Sequence, residues 1–353
     1  MMRIYFRTDA SFLMGSGHVM RCLTLADQLR LHGVTICFIC RALPGNLIEY
    51  IKNKGYQVYL LPYQKGQSET WLGENYQVEI AQMKEILAGG EKPDWLIVDH
   101  YALDILWESE MRSYVKRIMV IDDLADREHD CNILLDQNLY KDFERRYRNI
   151  IPVSCIRLLG PQYALLRPEF YAARQKAKVH TGKLGRIFIC FGGSDPSNQT
   201  EKAMLALQAF PNTELIVDVV VGAINKNKEK IEQFCADKIN FNYYCQVDNI
   251  AEVMLKADLA IGAGGTTTWE RCALGLPAIT LTLADNQKEI NQYLNELGVI
   301  RHIGELNNVT SNDIFEQVDF LRHNSSVIKE ISKQAFALMG ECTGQTVIKY
   351  LLD

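Results

Sequence analysis

The chain has 353 residues, more than a single hydrophobic core usually supports, so we expect two domains. Hydrophobic residues make up 48% and charged residues 23% of the sequence, as in a soluble globular protein. The net charge is −5 and no Lys/Arg cluster is dense enough for a nucleic-acid groove, which excludes nucleic acid as an expected partner. The N-terminal residues show no apolar core flanked by a cleavage site, and no apolar run reaches about 18 residues, so we expect a cytoplasmic protein without stable membrane association. We also expect a monomer.

The first predicted strand, residues 3–7, leads through Met14-Gly15-Ser16-Gly17-His18 into a helix over 20–30. Gly15 and Gly17 allow the backbone to turn sharply and approach a ligand, and the helix directs its free N–H groups at that ligand. This pattern predicts a phosphate site with His18 at its mouth, where an imidazole can move a proton. The alternative is a tight turn without a ligand, in which His18 only neighbours the helix cap.

Two other uses of this region are disfavoured. A dinucleotide site needs a third glycine, where this chain has Met20, and an acidic residue after the next strand, where it has Arg41. Cys37 and Cys40 match a C-x-x-C motif, but their spacing on a predicted strand over 34–40 sends the two sulfurs to opposite faces. We therefore expect no cofactor and no metal.

The later strands of the first half end in polar residues. Beyond a strand over 56–61, a polar loop over 62–76 and a helix over 78–87, buried strands are predicted at 95–101, 117–121 and 131–135. Their ends carry the groups Asp99-His100-Tyr101, Asp122-Asp123 and Asp136-Gln137-Asn138. Ligands of open parallel sheets bind beyond the carboxyl ends of the strands, so these side chains share a rim with His18. They could instead only cap the following helices.

The alternating pattern loosens after residue 152 and restarts with a strand over 186–191. We expect a Rossmann-like domain over 1–160, a linker over 161–183, a second Rossmann-like domain over 184–335 and a C-terminal helix over 336–353 that crosses back to the first domain. The predicted fold class is α/β, with the two domains facing a cleft. The strand at 186–191 ends in Gly192-Gly193-Ser194-Asp195, which predicts a second phosphate-binding turn.

A third turn, Gly262-Ala263-Gly264-Gly265-Thr266-Thr267-Thr268, follows a short strand and opens a helix. Glu270 lies one turn into that helix, where its carboxylate can accept hydrogen bonds from the vicinal hydroxyls of a ribose whose diphosphate sits on the turn. The alternative is a first-turn residue that only complements the helix dipole. Asn286 and Gln287 follow the next strand, at the predicted rim of the cleft.

These motifs in order resemble a known family. The second-half pattern of Gly265, Glu270, Gly275-Leu276-Pro277 and Asn286-Gln287 resembles the nucleotide site of two-domain GT-B glycosyltransferases, particularly those similar to MurG. The whole chain resembles the UDP-2,4-diacetamido-2,4,6-trideoxy-β-L-altropyranose hydrolases of pseudaminic acid biosynthesis (the PseG family). The motifs that carry this resemblance are Arg7-Thr8-Asp9, Gly15-Ser16-Gly17-His18, Asp99-His100-Tyr101, Tyr163-Ala164-Leu165-Leu166-Arg167 with Glu169-Phe170-Tyr171, and Phe191-Gly192-Gly193-Ser194-Asp195.

The resemblance implies a hydrolase that releases UDP by C–O cleavage at the anomeric carbon, with inversion and without a metal. The free sugar would serve nonulosonic acid synthesis, and through it the glycosylation of flagellin or surface polysaccharide. His18 matches the general base, Tyr101 a site tyrosine, and Arg167, Glu270 and Asn286 substrate-binding positions. With the residues of the predicted turns, the candidate substrate-binding set is Asp9, Gly15, Gly17, Tyr163, Arg167, Gly193, Gly265, Thr266, Glu270, Asn286 and Gln287.

Physical reasoning agrees with that chemistry. UDP is a good leaving group, so the enzyme needs a base for water and N–H donors for the diphosphate. The sequence leaves open whether Asp9, Asp99 or another carboxylate assists that base.

Two alternatives from other classes stay open. A glycosyltransferase would use the same nucleotide site with an acceptor hydroxyl in place of water, although no apolar and basic membrane-docking patch is present near residues 62–90. A non-catalytic nucleotide-sugar sensor would have no need of His18. Compared with the most compact members of the resembled family, the chain has extra length around residues 62–80 and in the tail. A loop that lies over the cleft would affect the sugar specificity but not the binding of UDP.

Overall fold

The computed structural model describes residues 1–63, 71–211, 215–340 and 346–353. These residues form two compact units. Unit 1 comprises Met1–Asn138, Asp142–Leu165 and the described part of Gly344–Asp353, and unit 2 comprises Leu139–Lys141 and the described part of Leu166–Thr343. The chain therefore leaves unit 1 after Leu165, within the segment expected to be a linker.

Unit 1 is built on a seven-stranded parallel sheet in the order β3-β2-β1-β4-β5-β6-β7. Its strands are β1 (Arg3–Thr8), β2 (Thr35–Arg41), β3 (Gln57–Leu61), β4 (Trp95–Asp99), β5 (Arg117–Ile121), β6 (Ile133–Asp136) and β7 (Ile156–Leu159). Its first four helices are α1 (Gly17–Arg30), α2 (Ile48–Asn53), α3 (Tyr76–Ala88) and α4 (Ile105–Met111). Central strands such as β4 are buried along their whole length, as expected of a parallel sheet covered on both faces.

Alternate residues of the strands of unit 1 enter two different hydrophobic clusters. Ile4 and Phe6 of β1 pack in the cluster that includes α1, whereas Tyr5 packs in the cluster that includes residues of α3 and α4. Cys40 belongs to the first cluster and Cys37 to the second. The prediction that the two sulfurs lie on opposite faces of the sheet is confirmed.

Unit 2 repeats the architecture with a six-stranded parallel sheet in the order β10-β9-β8-β11-β12-β13. Its strands are β8 (Arg186–Cys190), β9 (Ile216–Val221), β10 (Phe241–Cys245), β11 (Leu259–Ala263), β12 (Ala278–Thr282) and β13 (Arg301–Glu305). Its helices are α5 (Pro168–Arg174), α6 (Gln199–Leu207), α7 (Lys228–Ala236), α8 (Ile250–Lys256), α9 (Thr267–Ala273), α10 (Lys288–Glu296), α11 (Ser311–His323) and α12 (Ser325–Met339). The expected α/β fold class with two Rossmann-like parallel sheets is confirmed.

The structure differs from the predicted elements in several places. Strands β7 and β13 were not expected, and α5 lies inside the segment expected to be a linker. The helix expected over 336–353 is not continuous: α12 ends at Met339, and a separate short helix, α13 (Ile348–Leu352), packs in unit 1. There the carbonyl of Leu351 accepts a hydrogen bond of 3.0 Å from Nε1 of Trp95.

Part of the predicted loop over 62–76 lies outside the described residues, because the description stops at residue 63 and resumes at 71. Among the helices that are described, none combines the length and apolar character needed to cross a membrane.

Candidate active site

The loop from β1 to α1 brings His18 to the end of the unit 1 sheet. Gly15 has φ +75°, a left-handed conformation that favours glycine, and its N–H donates to the carbonyl of Ser11 at 2.8 Å. Helix α1 begins at Gly17, three residues earlier than predicted, so His18 lies in its first turn. Among the described residues, a Cβ added to Gly15 or Gly17 would meet no atom within 4 Å, so the described part of the chain leaves room for a ligand beside these two glycines.

His18 contacts a buried carboxylate. Its Nδ1 lies 2.6 Å from Oδ1 of Asp99, at the carboxyl end of β4. Arg21, one turn along α1, donates to both oxygens of Asp99 at 2.6 and 2.7 Å. A carboxylate acceptor assigns the ring proton to Nδ1, which leaves Nε2 as the basic nitrogen. Of the carboxylates considered from the sequence, Asp99 is therefore the one that contacts His18.

The two charged side chains next to His18, those of Asp99 and Arg21, stay ionised. Burial alone would raise the pKa of Asp99, but the Arg21 guanidinium and His18 hold it well below its usual range. Burial would lower the pKa of Arg21, but Asp99 and Asp123 together raise it well above its usual value. The Asp99 carboxylate therefore stays ionised and can stabilise a positive charge on the imidazole.

Tyr101 lies beside the histidine. Its hydroxyl donates to Oδ1 of Asp123 at 2.5 Å, and its ring centroid is 4.6 Å from that of His18 at an interplanar angle of 85°. Burial and the Asp123 carboxylate raise the pKa of Tyr101, so its hydroxyl stays protonated at neutral pH. Asp123 also accepts a hydrogen bond of 3.0 Å from Arg21. Tyr101 is thus tied to the same charge network as His18.

Two residues of this site were missed in the sequence. Arg21 follows His18 by three positions and therefore shares its helix face, a spacing that could have identified it. Trp71 lies 6.1 Å from His18 and 5.2 Å from Tyr101, measured between ring centroids. The sequence offers only one indication of Trp71: it is a large aromatic residue within a polar segment.

Asp9 is not accessible to a substrate in this structure. Its side chain is fully buried, accepts a hydrogen bond of 2.6 Å from the backbone N–H of Arg41 and pairs with Arg7 at 2.8 Å. Burial would raise the pKa of Asp9, but Arg7 and then His100 hold it well below its usual range. Direct substrate binding by Asp9 does not fit this burial, because its carboxylate is bonded to Arg7 and Arg41 inside unit 1.

The other strand-end carboxylates have mainly structural partners. Asp122 pairs with Arg127 at 2.8 Å and accepts a hydrogen bond of 2.9 Å from the N–H of Ala125. The Tyr147 hydroxyl lies 3.0 Å from Oδ2 of Asp122 and 3.1 Å from Oδ2 of Asp136. Burial and the nearby Asp123 charge raise the pKa of Asp136 to about 8. Of the predicted rim, Asp99, Tyr101 and Asp123 are brought to His18.

The motif that contains Tyr163 and Arg167 is divided between the units. Tyr163 is partly buried against the core of unit 1, where burial and the neighbouring Tyr350 raise its pKa. Arg167 belongs to unit 2, in which its Nε and Nη2 donate to the two oxygens of Glu270 at 2.7 and 2.9 Å. Burial would lower the pKa of Arg167, but Glu270 raises it. Two predicted substrate-binding residues, Arg167 and Glu270, thus form one bidentate ion pair.

The turn before α9 packs closely against Asn291 and lies near Gln287. A Cβ added to Gly264 would collide with the Asn291 amide, whereas one added to Gly265 would lie 3.9 Å from Nε2 of Gln287. Oε1 of Gln287 accepts a hydrogen bond of 3.0 Å from the N–H of Leu283. Within unit 2, Gly265 and Thr266 directly precede α9, Glu270 lies in its first turn, and Asn286 and Gln287 lie in a short 3-10 turn.

The helix start after the turn at Gly193 is capped by a carboxylate of the same turn. Asp195 accepts hydrogen bonds from the N–H groups of Gln199 at 2.9 Å and Thr200 at 2.8 Å, and from the Thr200 hydroxyl at 2.7 Å. The helix N-terminus that was expected to bind phosphate therefore already holds a carboxylate of its own chain. Gly193 is packed against Gly222, where an added Cβ would collide with the Gly193 carbonyl. Phosphate binding at this helix start is not supported.

Comparisons with known proteins fit this architecture. Residues 187–342 match the glycosyltransferase family 28 C-terminal domain. The crystal structure of MurG from Acinetobacter baumannii superposes with a TM-score of 0.65 at 15% identity, covering 100% of this chain and 99% of that one. The UDP-2,4-diacetamido-2,4,6-trideoxy-β-L-altropyranose hydrolase of Campylobacter jejuni is 30% identical over 302 residues, which are 84% of this chain and 97% of that protein.

The chain belongs to this hydrolase family. Its fold is that of the GT-B glycosyltransferases, and the family processes UDP-sugars. The spore coat polysaccharide biosynthesis protein SpsG of Bacillus subtilis is 27% identical over 146 residues, which are 41% of this chain and 43% of that protein. Among the residues that the structure describes, this member of the hydrolase family has no group of three His, Cys, Asp or Glu side chains that could hold a metal ion.

Proposed function

We propose that this protein hydrolyses UDP-2,4-diacetamido-2,4,6-trideoxy-β-L-altropyranose to UDP and the free sugar, without a metal. The observation that carries the proposal is the contact of 2.6 Å between His18 and a buried, Arg21-bound Asp99. Such a pair is suited to take a proton from water and to stabilise the resulting imidazolium. The name of the Campylobacter jejuni relative supports both the reaction and the sugar.

In the proposed reaction, Nε2 of His18 takes a proton from a water molecule while the water oxygen bonds to the anomeric carbon. The bond from that carbon to the diphosphate oxygen breaks, and its electron pair leaves with UDP. Attack from the face opposite the leaving group inverts the anomeric centre. Asp99 stabilises the charge that forms on His18. Tyr101 is the second proposed catalytic residue: its ring borders the imidazole, and its protonated hydroxyl is oriented by Asp123.

We assign the UDP half of the substrate to unit 2. The turn at Gly265 and Thr266 would provide backbone N–H groups to the diphosphate, as helix starts do for phosphates. The Glu270 carboxylate has acceptor capacity beyond its two bonds to Arg167, and we propose that it binds the ribose hydroxyls. Asn286 and Gln287 would border the same pocket.

A second candidate, a UDP-sugar glycosyltransferase, is favoured by the family 28 match over residues 187–342. It would use the same nucleotide site, and His18 would then deprotonate an acceptor hydroxyl instead of water.

The deciding experiment measures UDP release from UDP-2,4-diacetamido-2,4,6-trideoxy-β-L-altropyranose in the presence of EDTA and without an added acceptor. UDP-N-acetylglucosamine serves as the control substrate. We expect rapid release from the first nucleotide sugar alone. Tight UDP binding with release from neither would contradict hydrolysis and favour the glycosyltransferase, and a loss of activity with EDTA would contradict metal independence.

A further inference from the structure

Three aromatic rings meet at the unit 1 site, and the proposed reaction uses only two of them. The indole of Trp71 lies edge-on to His18 at an interplanar angle of 89°, with 6.1 Å between ring centroids. It also packs against Tyr101 at 5.2 Å and an angle of 47°. The imidazole of the proposed base is therefore bordered by two aromatic side chains, Trp71 and Tyr101.

Trp71 is held in position by the residues that follow it. Leu72 is 4% exposed and belongs to the hydrophobic cluster of α3 and α4. Gly73 has φ +66°, and a Cβ added there would collide with Leu43, so this stretch of backbone packs directly against the chain after β2. Asn75 then caps α3 by accepting the N–H of Gln77 at 2.9 Å. The segment that carries Trp71 is thus anchored on both sides of Gly73.

The exposure of Trp71 distinguishes it from the other tryptophans. Trp95, Trp107 and Trp269 are each at most 1% exposed and fill hydrophobic cores. Trp71 is only partly buried, and it contacts the rings of the proposed base and of Tyr101. An indole in this position offers an apolar surface to a molecule that approaches His18.

We infer that Trp71 is a specificity-determining residue that packs against the C–H face of the sugar and selects a deoxygenated, methyl-bearing hexose. This inference rests on the proposed function. The proposed sugar has a methyl group in place of the usual hydroxymethyl group and carries two acetamido methyl groups, so it is more apolar than N-acetylglucosamine. An apolar wall discriminates against an added hydroxyl by about 100-fold at most. The effect of Trp71 on the sugar preference should stay within that range.

The test separates sugar binding from catalysis by using His18→Asn as the background. Dissociation constants of UDP, UDP-2,4-diacetamido-2,4,6-trideoxy-β-L-altropyranose and UDP-N-acetylglucosamine are measured with and without Trp71→Ala. We expect Trp71→Ala to weaken the binding of the trideoxy sugar nucleotide by about 10- to 100-fold. Binding of UDP and of UDP-N-acetylglucosamine should change by less than about threefold, since neither depends on this apolar contact.

Trp71→Phe and Tyr114→Ala complete the design. Trp71→Phe keeps an aromatic face and should retain most of the preference. Tyr114 is a partly buried aromatic residue packed against the same hydrophobic cluster as Leu72, so Tyr114→Ala controls for a general loss of packing. Thermal unfolding of each variant reports whether Trp71→Ala folds.

Equal weakening of all three ligands, or no weakening of any, would overturn the role of Trp71. Failure of the proposed function would look different: the protein with His18 intact would release no UDP from the trideoxy sugar nucleotide. The binding preference and its dependence on Trp71 could then survive without hydrolysis.

Discussion

The turn before α1 in unit 1 and the turn before α9 in unit 2 share one local design, in which a parallel strand, glycines and a helix start follow one another. Beneath the first turn lie the buried charges of Asp99 and Arg21, which contact His18. In the second, Glu270 is bound by Arg167 at the start of the helix. Under the proposed function, the same backbone arrangement would serve proton transfer in one unit and nucleotide binding in the other, according to the side chains packed against it.

The turn before α6 sharpens this contrast, because there a glycine-rich start is occupied by Asp195 of the same chain. A helix N-terminus after glycines is therefore not enough to define an anion site. The following predictions test the division of roles between the two turns, from the largest expected effect to the smallest.

His18→Asn should reduce kcat by about 10³-fold, because the water loses its base. The dissociation constant of UDP should stay within a few-fold, since the nucleotide is assigned to unit 2. The measurements are steady-state UDP release and a UDP titration. His32→Asn, an exposed histidine just beyond the end of α1, is the matched control. A His18→Asn enzyme with a near wild-type rate would remove the proposed base.

Asp99→Asn should lower kcat by about 10²-fold, because an amide neither holds the same ring tautomer nor stabilises the imidazolium. UDP affinity should not change. The control is Asp130→Asn, which alters another Arg-bound aspartate of unit 1, paired with Arg112 at 2.7 Å. If the Asp99 variant keeps the wild-type kcat, the pair is structural only.

Glu270→Ala should weaken UDP binding by roughly 1–3 kcal/mol, the free energy of lost hydrogen bonds to a charged group. Glu252→Ala removes an exposed carboxylate from the first turn of α8 and tests whether a helix-dipole effect alone would suffice. Calorimetric titration with UDP gives both values. Unchanged UDP affinity in the Glu270 variant would leave this residue with only a structural role.

The raised pKa of Asp136 predicts that the stability of unit 1 depends on pH. Its pKa is raised from 3.8 to about 8 by burial and by Asp123, so the native state retains a proton that the unfolded chain releases. The stabilisation is complete below pH 4 and is lost as the pH rises through about 8, at roughly 1 kcal/mol per pH unit between pH 5 and 7. Asp136→Asn should flatten this slope in denaturant unfolding. Identical slopes for both proteins would contradict the protonated native state.

Buried strands were easier to predict from the sequence than partly exposed ones. Central strands were predicted because both of their faces are buried, which produces continuous apolar runs. Strands β7 and β13 were missed, and both lack a continuous buried apolar run. The first two residues of β7 are exposed, and every residue of β13, including Arg301, His302 and Glu305, is only partly buried. The polar strand ends were found by the rule for parallel sheets, but that rule did not distinguish Asp99 from Asp136.

By itself, the sequence determined the two parallel α/β units, the glycine-rich turns and the presence of His18 at a helix start, because strand periodicity, glycine and helix starts are local properties of the chain. Only the tertiary structure decided which side chains meet. Asp99 is 81 residues from His18, and Glu270 is 103 residues from Arg167. Such contacts depend on which strands are neighbours in a sheet and on how burial pairs their charges, and no local pattern encodes either.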